Sequence, residues 1–157
     1  MLVQVFPSPS LVGVIPVTHI NFPLGREYPD ELFVRLYSEV VAPMLREFAP
    51  EMIFVSAGFD GHILDPMEGF RIHTETFGVL AEVLIAEAEQ SAQGRILFCL
   101  EGGYNPVALA DSVRETTLKL VQCPRVRFDP QFKIPTLFSE ELDLFRRFHR
   151  QFFPGVL

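Results

Sequence analysis

Two stretches of this chain place polar residues where they could do chemistry. The first reads Ser56-Ala57-Gly58-Phe59-Asp60-Gly61-His62-Ile63-Leu64-Asp65-Pro66 and the second Leu100-Glu101-Gly102-Gly103-Tyr104-Asn105-Pro106. Asp60 and Asp65 could coordinate a metal, and His62 would face the same side as Asp60 if the backbone stayed extended. Loop aspartates also bond their own backbone in Asx turns, so spacing alone leaves a metal site and a hydrogen-bonded turn both open. In the second stretch, Gly102-Gly103 allows close approach of a ligand or a positive φ, and the Tyr104 phenol could donate to a developing oxyanion. A Gly-Gly turn with an aromatic packed on the next helix is the competing interpretation. The G-x-G-x-x-G order of a dinucleotide site and the Gly-x-Ser-x-Gly nucleophile elbow are both absent.

Residues of this kind need a scaffold, and the apolar pattern supplies one. Met52-Ile53-Phe54-Val55-Ser56 and Arg95 to Leu100 are short, almost wholly apolar runs, as expected of strands covered on both faces. Between them Phe77, Leu80, Ala81, Leu84, Ile85 and Ala88 recur at helical spacing, with Thr74 as N-cap and Gly94 as stop. An amphipathic helix runs from about Pro29 to Phe48, kinked at Pro43, and a further strand is expected in the β-branched run of residues 11–24. Asn105-Pro106 starts a third helix reaching about Val121, and residues 139 to about 153 form a last one. Alternation of strand and helix predicts a parallel α/β sheet whose ligand site lies beyond the carboxyl ends of the strands, where both loops sit.

The whole chain has 157 residues, enough for one domain with a core, and a net charge of −7 with no basic stripe. Direct nucleic-acid binding is not expected. The densest basic run, Arg146-Arg147 to Arg150, alternates with Phe145, Phe148, Phe152 and Phe153 and reads as an amphipathic terminal helix. Two cysteines in unlike settings, Cys99 and Cys123, point to a reduced, cytoplasmic protein, and prolines 7, 9 and 16 break up any signal peptide or membrane span.

Taken together, SAGFDGHILDP followed at this distance by LEGGYNP resembles the C-terminal half of the histone deacetylase superfamily, which includes acetoin-utilisation proteins and acetylpolyamine amidohydrolases. Asn21-Phe22-Pro23-Leu24 is similar to the family's N-x-P-L strand, and Phe48-Ala49-Pro50-Glu51 to its F-x-P segment. The resemblance implies a three-layer α/β/α fold of the arginase/deacetylase type, here incomplete. It divides the chain into an atypical segment 1–18, the catalytic-domain part 19–123, and a connection with terminal helix 124–157. It also implies zinc-dependent hydrolysis of an acetyl-amide, with metal-bound water attacking and the oxyanion held by zinc and a tyrosine. By motif, Asp60 matches a zinc ligand and Tyr104 the oxyanion tyrosine. Gly58, Phe59, Asp65, Pro66, Met67, Gly102 and Gly103 match residues that shape the loops or line the acyl channel, and His62 is not carried over as a ligand.

The family's remaining zinc ligands and its tandem histidines belong to an N-terminal half that this sequence does not contain: His19, His62, His73 and His149 include no adjacent pair. A catalytic zinc takes three protein ligands plus water, so one matched Asp predicts a chain inactive alone. The expected partners are an acetylated lysine or amine, the missing half or a complementing chain, and a second copy through exposed apolar strand surface. The other function class is a non-catalytic α/β binding module that keeps the family's shape.

Overall fold

Apolar residues at steps of three and four from Leu32 to Phe48 form a single helical stretch, but its irregularity precedes the proline. The computed structural model describes residues 2–7, 20–25, 28–67, 69–122, 138–151 and 153–154. Helix α1 (Asp30–Leu36) passes through a π-helical turn, Tyr37–Val41, into α2 (Ala42–Phe48). The Ala42 N–H accordingly donates to Tyr37, five residues back. Pro43 has no N–H and its ring collides with the carbonyl four residues earlier, so a widened turn just upstream absorbs it where a kink was expected. The stretch ends with Ala49 in the left-handed region, φ 48°, its N–H bonded to the Leu45 carbonyl at 3.0 Å.

Strand β2 (Pro50–Ala57) follows at once, then α3 (Thr74–Ser91), β3 (Ile96–Leu100) and α4 (Pro106–Gln122). β2 and β3 pair in parallel, Ile53 opposite Ile96 and Ala57 opposite Leu100, as a strand–helix–strand unit should. Gly94, at φ 74°, donates to the Ala88 carbonyl at 2.9 Å and closes α3 as its sequence position implies. Thr74 is the first helical residue rather than the cap, and its hydroxyl is used elsewhere.

The expected strand in residues 11–24 is not found in the part that can be checked. Residues 11–19 lie outside the described residues, and 20–25, with the N-x-P-L segment, run without strand pairing. The additional strand is β1 (Leu2–Pro7), antiparallel to β2 with Leu2 opposite Ser56 and Phe6 opposite Met52, so the sheet is mixed with order β1-β2-β3. The chain leaves β1 beside Pro50 and the α1–α2 stretch returns it to that same end, which makes the pairing antiparallel.

One face of the sheet is the core. Ile53, Val55 and Ala57 pack with Phe33, Tyr37, Phe77, Leu80 and Leu84, with Ile96 and Phe98 partly buried against them. Truncation of a fully buried residue such as Leu84 to alanine should cost roughly 2–5 kcal/mol. The opposite face of the α1–α2 stretch carries Leu32, Leu36, Val40 and Met44, which enclose Leu142, Phe145 and Phe153 with Phe22 at the edge. Leu142 and Phe145 belong to α5 (Ser139–His149), in which Arg147 is exposed and half-buried Arg146 meets Glu39 at 2.5 Å, as in an amphipathic helix.

Coverage on both faces, expected for β2 and β3, does not hold. β2 alternates between buried and less buried positions, and in β3 Leu97, Cys99 and Leu100 are exposed. β3 is an edge strand among the described residues, and its Leu97 and Cys99 are exposed on the face opposite the core. No helix of the described residues is long and apolar enough to cross a membrane.

Candidate active site

Because β2 and β3 are parallel neighbours, the loops leaving them emerge at the same end of the sheet and meet. Glu101 donates its N–H to the Ala57 carbonyl at 3.2 Å, and Phe59 donates to the Gly102 carbonyl at 2.8 Å, extending the pairing past both strands. The Phe59 ring turns inward, buried against Phe77 with ring centres 5.1 Å apart, and anchors the first loop in the core.

Asp60, next in sequence, is turned the other way. Its half-buried carboxylate lies on the Gly102 backbone: a Cβ at Gly102 would stand 2.8 Å from Asp60 Cγ and 2.9 and 3.0 Å from its two oxygens. A Cβ at Gly58 would reach Oδ1 at 2.9 Å. Two glycines therefore vacate the space this carboxylate occupies. Gly103 serves backbone shape, with φ 134° and no room for a Cβ beside Leu109 and Phe59.

The other two metal candidates are already satisfied. Asp65, 4% exposed, accepts the Met67 N–H on Oδ1 at 3.0 Å, the Asx-turn pattern left open by the sequence. Its Oδ2 accepts the Tyr104 and Asn105 N–H groups at 2.6 and 3.2 Å. Burial pushes this carboxyl up, but the three backbone donors outweigh burial and hold it below the usual range. His62 is buried with its ring stacked over Phe77; Nδ1 accepts the Leu64 N–H at 3.0 Å, which leaves Nε2 as the protonated nitrogen facing Thr74 Oγ1 at 3.0 Å. Burial, then repulsion from His73, hold its pKa below the ordinary value, so the ring is neutral at pH 7. Neither ring nitrogen is free to bind a metal.

Tyr104 is 59% exposed, as are Met67 at 59% and Pro66, and the Asp65 carboxylate accepts the N–H groups of both Met67 and Tyr104. Asn105 caps α4, its Oδ1 accepting from Val107 and Ala108 at 3.1 Å each. Two contacts here had no signal in the sequence: the Asn105 amide also donates to the Leu64 carbonyl at 2.9 Å, and Ser56 Oγ bonds to Glu101 at the strand ends. Each depends on a register between strands that only the fold supplies.

A model of the histone deacetylase domain matches residues 6–120. The chain belongs to the histone deacetylase family. This deacetylase-family chain is 38% identical over 126 residues to histone deacetylase 10, chloroplastic, of Oryza sativa, covering 79% of itself and 28% of that protein. It is 30% identical over 87 residues to a histone deacetylase-like amidohydrolase of Pseudomonas aeruginosa, covering 55% of itself and 23% of that protein. The solved structure of the histone deacetylase Clr3 superimposes with a TM-score of 0.73 at 22% identity, over 89% of this chain and 23% of that one, and shows the shared α/β deacetylase fold. The chain thus spans 28% or less of the length of these curated relatives, and 5% in a type-2 histone deacetylase of Dictyostelium discoideum.

Family membership suggests a metal cofactor. Among the described residues no three His, Cys, Asp or Glu side chains converge on one point. The Asp60 carboxylate, cradled by two glycines, fits one ligand position; the chain's described residues do not complete a set.

Proposed function

We propose that these loops form the C-terminal wall of a zinc-dependent amidohydrolase site acting on acetyl-lysine or another acetylated amine. The observation carrying this reading is that Asp60 and Tyr104, on different loops, are held at one sheet end through Gly102 and Asp65. In this role Asp60 contributes one carboxylate ligand to zinc, and the further ligands and the proton-transfer histidines come from outside the described residues. When bound, zinc would supply the Lewis acidity that eases water attack on the acetyl carbonyl. Tyr104 would donate its Oη–H to the oxygen that gains negative charge, a contribution that strengthens only as the transition state forms. Gly102 and Gly103 would let the acyl group pass close to the backbone, with Met67 along its path.

By itself the chain is then inactive and works with a complementing part, for which the edge of β3, with Leu97 and Leu100 exposed, is a fitting place. The test is zinc-dependent hydrolysis of an acetyl-lysine peptide by the 157-residue chain, alone and after addition of a family N-terminal half carrying Asp-x-His and His-His. Turnover only in the mixture, lowered about a hundredfold or more by Tyr104→Phe, is expected. Turnover by the chain alone, lost in Tyr104→Phe, would overturn the need for a complement. A mixture that binds the peptide without turnover supports the non-catalytic module, the reading favoured by the incomplete ligand set.

A further inference from the structure

Two side chains tie the site loops together, and they reach in opposite directions. Asp65 reaches forward from the first loop to the N–H groups of Tyr104 and Asn105, at 2.6 and 3.2 Å. Asn105 reaches back from the second: its Nδ2 donates to the carbonyl of Leu64, the residue just before Asp65, at 2.9 Å. With the other end of the same carboxamide, Asn105 accepts from Val107 and Ala108 at the start of α4. The bonds close a ring running from Leu64-Asp65 to Tyr104-Asn105 and back. Tyr104 belongs to this ring only through its backbone, while its side chain is largely exposed. It directly follows Gly103, whose φ of 134° a side-chain-bearing residue rarely adopts. The point and direction in which the phenol leaves the chain are therefore tied to what holds the Tyr104 and Asn105 backbone.

We propose that Asn105 is a positioning residue for the Tyr104 hydroxyl, its carboxamide fixing the α4 N-terminus and the Leu64 carbonyl in one rigid link. The job requires a side chain whose acceptor and donor are separate atoms, the oxygen turned to α4 and the nitrogen to Leu64. Serine or aspartate would cap α4 about as well but offer the Leu64 carbonyl no amide N–H. The catalytic meaning of the link rests on the oxyanion role proposed for Tyr104; the mechanical link does not.

The chain has three tyrosines and no tryptophan, which makes fluorotyrosine a direct probe. The intact chain is labelled with 3-fluorotyrosine, and Tyr104→Phe assigns its fluorine NMR line. In Asn105→Ser the Tyr104 line should broaden or move toward the free amino acid, while the lines of Tyr28 and buried Tyr37 and the thermal midpoint hold. An unchanged Tyr104 line in a folded Asn105→Ser chain overturns the proposal. Asn105→Asp, which keeps the cap and adds favourable charge at the helix N-terminus, gives the same readout should the serine variant lose the Tyr28 and Tyr37 lines. In the complemented enzyme, Asn105→Ser should lower kcat about ten- to a hundredfold with KM little changed. If Tyr104→Phe leaves turnover intact, the oxyanion role fails, and the fluorine result still decides the positioning role.

Discussion

At the scale of single residues, the site is built on vacancies as much as on side chains. Gly102→Ala should push its methyl into the Asp60 carboxylate and leave the fold alone, because the clash is with a half-buried side chain rather than with the core. The expected result is a thermal midpoint within a few degrees of the parent and about a tenfold or greater loss of turnover in the complemented enzyme. Equal turnover would show that Asp60 does not need that place. Asp65 has a pH signature. Its folded pKa is depressed, so its stabilisation is fully present above the ordinary carboxylate range, near pH 4, and is lost as pH falls through the lower folded value. An Asp65→Ala chain should be less stable at pH 7, with the gap narrowing in acid; denaturant midpoints across pH 2–7 measure it. Both loops were legible in the sequence as places for chemistry, and their family resemblance was legible with them. The Asx turn of Asp65 was one of the readings left open; that its other oxygen is spent on Tyr104 and Asn105, and His62 on Thr74, was not legible, because those partners lie 12 to 40 residues away.

Among the elements, two helices bury titratable groups that titrate in opposite senses. Glu87 of α3 is 5% exposed; its Oε2 has no hydrogen bond, only Arg46 Nε at 3.5 Å. Burial pushes its pKa up and Arg46 only partly offsets that, so the folded state loses stability as pH rises through the raised value. Glu87→Gln should therefore be more stable than the parent at pH 7, with the advantage gone near pH 4; a lower midpoint at pH 7 would refute the sign. His149 of α5, 3% exposed between Phe22 and Phe148, has an unpartnered Nδ1. Burial holds its pKa down against a hydrogen bond that the ring donates to the Asn21 backbone. Its neutral form is native, so stability is full above about pH 6.5 and falls below it as the unfolded chain takes up the proton. His149→Phe should flatten the stability–pH curve between pH 5 and 7, measurable by thermal melts. Helical periodicity announced each of these helices from the sequence. The π-turn before Pro43 escaped it, since widening one turn shifts the register without changing which residues are apolar.

For the molecule as a whole, the sheet decides both what was legible and what remains open to partners. The parallel β2–α3–β3 unit could be read from two apolar runs with one helix between them. The antiparallel β1 could not, because an apolar start followed by prolines carries no sign of which edge it will join. Apolar composition likewise made β3 look buried, yet Leu97 and Leu100 are exposed. The purified chain should self-associate, and Leu97→Lys should shift light scattering toward monomer without lowering the melting temperature. An unchanged size distribution would move the sticky surface elsewhere. The parallel unit also has a temporal consequence. Its partners lie 43 residues apart throughout, from Ile53 with Ile96 to Ala57 with Leu100, and the helix that closes the gap is their own connection. β1 meets β2 across 43 to 54 residues, from Pro7 with Pro50 to Leu2 with Ser56, so the separation widens along that pair while it stays constant along the parallel one. The parallel unit, whose connection runs through α3 in the same core, is the part expected to form first, with β1 at the sheet edge joining later and exchanging its amide protons sooner.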